Sequence, residues 1–208
     1  MAITATVLLA DLGLALVDTT PTVWSSALKV RFINEALDAI ASVRPDAYAV
    51  TEDLTLTAST PKQEIHATGY RLLDVIMNDA GLPIKKTTRE DLNDTVPAWT
   101  TTEDDSIESF AFDEENPTIF WVQPVPDDAL VIVVTYAKEP VIFTNSSTDL
   151  GISDIYIPAV KNYVLSKCLG MLTQGTDYQR SAQYMDDFYK VLGLKFQSDV
   201  TLKQVQED

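Results

Sequence analysis

VWSSALKVRFINEALDAIASVRPDAY, residues 23–48, is the stretch whose reading decides the fold. Trp24, Ala27, Val30, Ile33, Leu37, Ile40 and Val43 recur every three or four residues, which places them on one face of a helix. Lys29, Arg31, Asn34, Glu35 and Asp38 fall to the opposite, wet face. Ser25 is positioned to cap the start. Pro45 ends the helix, because a proline disfavours helical dihedrals at the residue before it. A short amphipathic helix draws most of its stability from the surface it packs on, so other apolar segments must provide one.

On its N-terminal side, residues 1–17, MAITATVLLADLGLALV, are apolar almost all round. No basic run precedes the apolar stretch, and Asp11 and Gly13 interrupt it. The reading is therefore a buried first helix, not a secretion signal or a membrane span. Residues 18–22, with Pro21, form the short connection of a helical hairpin. A second pair of helices lies near the other end. Pro158 suits a first helical turn, and Val160, Val164, Cys168 and Met171 form a stripe. Gly175 then ends that helix and Asp177 caps the next, whose apolar face is Tyr178, Ala182, Met185, Tyr189 and Leu192, closed by Gly193.

Between the pairs the period changes to two. Leu54, Leu56 and Ala58 alternate with polar residues, as do Ile65 and Ala67. Along 71–77, Leu73, Val75 and Met77 are assigned to one side of a strand, and Leu72 and Ile76 to the other. Residues 78–105 read as a long irregular loop. Residues 107–112, 118–122 and 130–136 read as a meander of three strands, the last apolar on both faces and so the most buried. The expected fold is α+β, a helical bundle formed by the N- and C-terminal helix pairs (1–48 and 154–194) with an inserted, mainly antiparallel β-sheet (49–153). The tail, 195–208, continues an alternation that puts Leu194, Phe196, Val200 and Leu202 in one phase, a pattern open to two readings, docking on a partner by strand addition or in a groove, or a frayed terminus.

A chain of 208 residues with 46% hydrophobic and 22% charged residues has enough apolar side chain for an ordered core. A net charge of -16 repels a phosphate backbone and disfavours ordinary nucleic-acid binding through Lys and Arg, though it does not forbid DNA nearby. The acidity is local, since residues 87–115 hold ten acidic residues against a single basic one, Arg89. Within them Glu103, Asp104 and Asp105 fall in a loop, and Asp113, Glu114 and Glu115 in a hairpin turn, with no EF-hand spacing and no convergent acid pair. His66 and Cys168, the only histidine and cysteine, fall in different elements, so no metal site is expected from them and no internal disulfide exists. There is no GxSxG, Walker loop or dinucleotide fingerprint. The expectation is a non-enzyme with no catalytic residue, cofactor or metal.

Several signatures occur in succession: Trp24 followed by FINEALDAIASVRPDAY, DLN and PAW around Leu92 and Trp99, FDEENPTIFWVQP from Phe112 to Pro124, and IPAVKNYVLSKC from Ile157 to Cys168. In this order the chain resembles the head-to-tail adaptors of short-tailed bacteriophages, the group that includes tail tubular protein A. The resemblance implies a structural protein of the virion, twelve copies forming a ring under the portal protein, joined below to the tail nozzle protein and enclosing a channel through which DNA passes without specific binding. It implies no membrane partner and no catalytic residues. It also implies that a C-terminal segment engages the portal, for which Leu194, Phe196, Val200 and Leu202 are the candidates. Glu103, Asp104, Asp105, Asp113, Glu114 and Glu115 are the candidates for a channel or nozzle-facing surface that keeps DNA from adhering. Two other readings of the residues remain open at this point: a carboxylate-based hydrolase of cell-wall glycans, and a monomeric module that binds peptides at a sheet edge.

Overall fold

The computed structural model describes residues 4–145, 147, 149–172 and 175–193, so the candidate docking residues Leu194, Phe196, Val200 and Leu202 lie outside the described residues. The chain forms two compact units, residues 1–47 with 140–208 and residues 48–139. Five α-helices and several sheets among the described residues make it α+β.

The first unit is helical. Thr4 caps α1 (Ala5–Ala15), and Ser25 caps α2 (Ser26–Val43) by accepting from the Leu28 amide. Arg44 leaves helical geometry before Pro45, as expected of a residue preceding proline. α4 (Ile157–Gly170) carries Pro158 in its first turn, and α5 (Gly175–Val191) ends at Gly193, whose positive φ suits a residue without Cβ. α4 packs on α2 and α5, and α1 on α2 and α4. Ile33, Leu37 and Ile40 of the expected α2 stripe are fully buried, as are Val160 and Val164 of the expected α4 stripe. Each such side chain, taken from water, contributes roughly 1.5–3 kcal/mol.

Four details differ from the periodicity. The buried face of α2 is rotated, so that Ala27 is exposed while Phe32, Ala36 and the expected wet residue Lys29 are buried. α1 is buried only along Ala5, Leu8, Leu12 and Gly13. Gly175 begins α5 rather than ending α4, and Asp177 lies in the first turn of that helix. On α5 the buried anchors are Phe188 and Leu192, whereas Ala182 and Tyr178 are exposed. Phe188 sets the face because its ring packs edge-on against Tyr163 of α4, with centroids 5.2 Å apart. The α4–α5 contact is also pinned by paired hydrogen bonds, Ser166 Oγ to the Ser181 carbonyl and Ser181 Oγ to the Ser166 carbonyl, both 2.8 Å.

In the second unit, β9 (Val131–Lys138) lies between β1 (Ala49–Thr55) and β3 (Gly69–Asn78), antiparallel to both. A four-stranded sheet runs in the order β2 (Lys62–Glu64), β7 (Ile119–Gln123), β6 (Ser109–Phe112), β4 (Lys85–Thr87). β5 (Glu103–Asp104) pairs with β8 (Val125–Pro126). The expected meander is therefore broken, because β6 and β7 form a hairpin while β9 joins the other sheet. Its alternation explains the central place, with Ile132, Val134 and Tyr136 fully buried on one face and Val131, Val133 and Thr135 half-covered on the other. Three register shifts along β3 bury Leu72 and Val75, three residues apart, and leave Ile76 and Met77 outside, which a strict period of two cannot do. One core joins Leu54, Ile65, Leu72, Phe110, Phe120, Val122 and the β9 residues. Tyr136 comes so close to Gly69 that a Cβ there would lie 2.5 Å from the ring, so only glycine fits.

Residues 78–105 are not a loop. They hold β4, α3 (Arg89–Thr95) and β5, and α3 is capped by Thr88. The region reads as irregular because its elements are short and its core contribution is a compact cluster of Leu92, Trp99 and Ala111, with no period to detect. Residues 140–153, assigned from sequence to the sheet, fall with the helices. Asn34 of α2 holds them, donating to the Phe143 carbonyl (3.0 Å) and accepting from its amide (2.8 Å).

Candidate functional site

The helical unit presents an apolar surface that nothing among its own described residues covers. On α1, Val7, Ala10 and Leu14 follow a three-four spacing and point away from the buried face, and Val17 follows in the turn just beyond the helix. Val7, Leu14 and Val17 are 51%, 65% and 92% exposed. The only ionisable residue of α1, Asp11, is bound by Lys161 Nζ at 2.6 Å, so the stripe is also without free charge. Val17 has φ +54°, a left-handed conformation that costs an L-residue about 1–2 kcal/mol. A β-branched apolar residue that is both strained and solvated is costly twice over in an isolated chain. In the same unit Val141, Ile142 and Ile155 are exposed by two-thirds or more.

A buried polar cluster fixes this surface in place. Asp18, just after α1, accepts from the Thr22 amide (3.0 Å), the Thr22 hydroxyl (3.1 Å) and the Trp24 amide (3.0 Å). Those donors, the Thr22 amide first, hold its carboxyl down to about 2. Lys29 Nζ lies 4.0 Å away, and both side chains are 4% exposed. Trp24 in turn donates its indole N–H to the Cys168 carbonyl of α4 at 3.2 Å. Burial pushes the Cys168 thiol up to about 11, which leaves it a packing residue with no nucleophilic thiolate. The α1–α2 connection is thereby fastened to α4.

The acidic candidates do not converge. Glu103 and Asp104 form β5 beside Val125 and Pro126, past the Gln123 end of the β6–β7 hairpin. Asp113, Glu114 and Glu115 sit at the hairpin's turn, at its other end. Four paired residues separate the groups, roughly 13 Å of strand. The groups also differ electrostatically. Asp113 accepts from Arg89 Nη2 at 3.0 Å, and Glu114 lies 3.6 Å from Arg71. Among the described residues no ion pair relieves Asp105, whose carboxyl is pushed above its ordinary range by the hydrogen bond it donates to Asp104 when protonated, by the Asp104 charge and by burial, with Asp127 adding to it. Among the described residues no group of three or more His, Cys, Asp or Glu is arranged to hold a metal ion. His66 faces no nucleophile; its Nε2 lies 3.0 Å from the Asp53 carbonyl and its ring against Tyr136.

The sequence shows a first helix apolar almost all round, awkward in a lone monomer, but not which stripe of it stays uncovered. Its spacing was visible, but a helix apolar on both sides reads as buried until its neighbours are known. Among the described residues no helix is long and apolar enough to cross a membrane. Compared with known proteins, residues 3–206 match the model of the SU10 adaptor protein family, nearly the whole chain. No curated protein matches it.

Proposed function

The chain belongs to the SU10 adaptor protein family, and from that premise we propose that it is the ring-forming head-to-tail connector of a bacteriophage. Family membership makes it a bacteriophage adaptor, a structural component that contacts other parts of the virion. In the finer reading, twelve copies close a ring under the portal protein, join it to the tail nozzle and surround the channel for DNA. The C-terminal residues Leu194, Phe196, Val200 and Leu202 engage the portal. Of the two acidic runs, Glu103, Asp104 and Asp105 face the channel or the nozzle, since Asp105 is crowded by Asp104 and Asp127 and no ion pair among the described residues offsets the run. Asp113, Glu114 and Glu115 contribute less to a repulsive lining, because Arg89 and Arg71 offset two of them.

The observation that supports assembly most directly is the solvated α1 stripe ending in a strained valine. Such a surface destabilises a monomer and is explained by a neighbour that covers it. Electron microscopy of the protein mixed with its purified portal tests the reading. Rings of fixed stoichiometry on the portal are expected. A chain that stays monomeric and unattached at micromolar concentrations overturns it. The hydrolase reading has no convergent acid pair among the described residues to support it, and a glycan-release assay is expected to show no turnover.

A further inference from the structure

Besides the α1 stripe, the helical unit holds an open groove of about 540 Å³ where α2, α4 and α5 converge. Leu28 and Phe32 of α2, Met171 just past the end of α4 and Met185 of α5 supply its apolar walls. Met171 is 59% exposed, so among the described residues nothing closes the groove over. Ser166 and Ser181 also line it, but each hydroxyl donates to the other residue's carbonyl, which leaves no serine hydrogen bond to offer a polar ligand. The charged groups are Arg31, Glu35 and Lys167. Arg31 is paired with Glu35 at 3.0 Å. Lys167 lies over the Tyr163 ring, 5.1 Å from the centroid, and makes no ion pair among the described residues. The groove therefore carries a surplus positive charge on a chain whose net charge is -16.

We infer that this groove receives the α1 stripe of a second copy of the chain, an inference that rests on the ring proposed above. The two surfaces cannot meet within one molecule. α1 packs on α2 and α4 through the face that carries Ala5, Leu8 and Leu12, so Val7, Ala10 and Leu14 point away from the helices that build the groove. Between molecules they match. Val7 to Leu14 on the stripe and Leu28 to Glu35 on the α2 wall run the same number of residues along a helix, about 10 Å. An apolar helix ridge in an apolar groove is a recurrent mode of recognition, and Met171 and Met185 can adapt to its shape. Charge selects the occupant. Two copies of so acidic a chain repel each other over most of their surface, and the repulsion is least where neither side is net negative. The stripe meets that condition because Lys161 offsets Asp11, and the groove meets it through Lys167. Ridge and groove are different surfaces, so the contact is heterologous, each copy entering one neighbour and receiving another, as a closed ring of more than two copies requires.

Chains carrying Leu14→Cys and chains carrying Met171→Cys, mixed and assembled on purified portal, test this with a short bismaleimide crosslinker and a denaturing gel. Both positions are exposed, so each free variant should melt with the parent chain, and Cys168, fully buried, stays out of the reaction. A two-chain band joining the two variants is expected, absent from either variant alone, and the double variant Leu14→Cys, Met171→Cys should run as a ladder of linked copies. A photoreactive benzoylphenylalanine at position 14 identifies what covers the stripe, and should capture another copy through the peptide that holds Met171 or Met185. Rings that form on the portal without the 14-to-171 link overturn the inference and leave the ring reading standing. Leu14→Cys chains linked to one another indicate a two-fold contact and overturn it as well, as does capture of the portal or of residues 194–208 by the photoreactive group. A protein that forms neither ring nor link overturns both readings.

Discussion

The two units solve the same problem, burying apolar surface, to different degrees. The sheet unit joins thirteen buried residues in one core, and among its large apolar side chains only Ile76, Met77 and Leu82 of the described residues are exposed. The helical unit buries comparable side chains but displays Val7, Leu14, Val17, Val23, Val141, Ile142 and Ile155. It also spends a buried ion pair and a left-handed valine on fixing how that surface is held. Where the sheet unit meets its surroundings it is charged; where the helical unit does, it is greasy. Burial is thus more complete in the sheet unit, and the exposed apolar surface of the helical unit is the one that the proposed assembly would cover.

The largest expected effect breaks that contrast on the helical side. Leu14→Glu places a charge in the α1 stripe, and should abolish assembly with the portal while leaving the melting temperature of the free chain nearly unchanged. Sedimentation together with calorimetry checks both halves. If assembly survives, the stripe is not an interface. Next, Gly69→Ala drives a methyl into Tyr136 and Ile65. Overpacking of this kind costs about 1–3 kcal/mol, measured by denaturant unfolding of the sheet unit's signal. An unchanged midpoint would mean that the core is looser than its burial implies.

A third test uses pH. Asp18 titrates near 2 when folded and near 3.9 when unfolded, so its contribution is complete above about pH 4 and is lost as pH falls through about 2. Asp18→Asn should lower stability at pH 7 and flatten the acid limb of the profile between those values, relative to the parent chain. A parallel loss at every pH would assign the residue a purely steric part. The smallest effect is expected from Val17→Gly, which removes the penalty of a left-handed valine and should stabilise the free chain by up to about 1 kcal/mol while weakening assembly. That opposite pair of signs distinguishes a residue kept for a partner from one kept for the fold.

The amino-acid order alone was enough for the helix pairs, the sheet between them, the caps at Ser25 and Pro45, and the adaptor family, because each rests on local periodicity, local backbone preference or a run of short signatures. It was not enough for the buried Lys29, since a lysine twenty-nine residues in looks solvated until Asp18 is brought beneath it by the turn after α1. Nor did it place β9 between β1 and β3, nor reveal the bulges that carry Leu72 and Val75 to one face. Residues 78–105 looked irregular because Trp99 meets Leu92 and Ala111 through contacts that have no spacing to read. Which face of α1 stays uncovered and how far apart the two acidic runs lie were likewise settled in three dimensions. Periodicity reports which side chains share a face; only packing decides which face is covered, and by what.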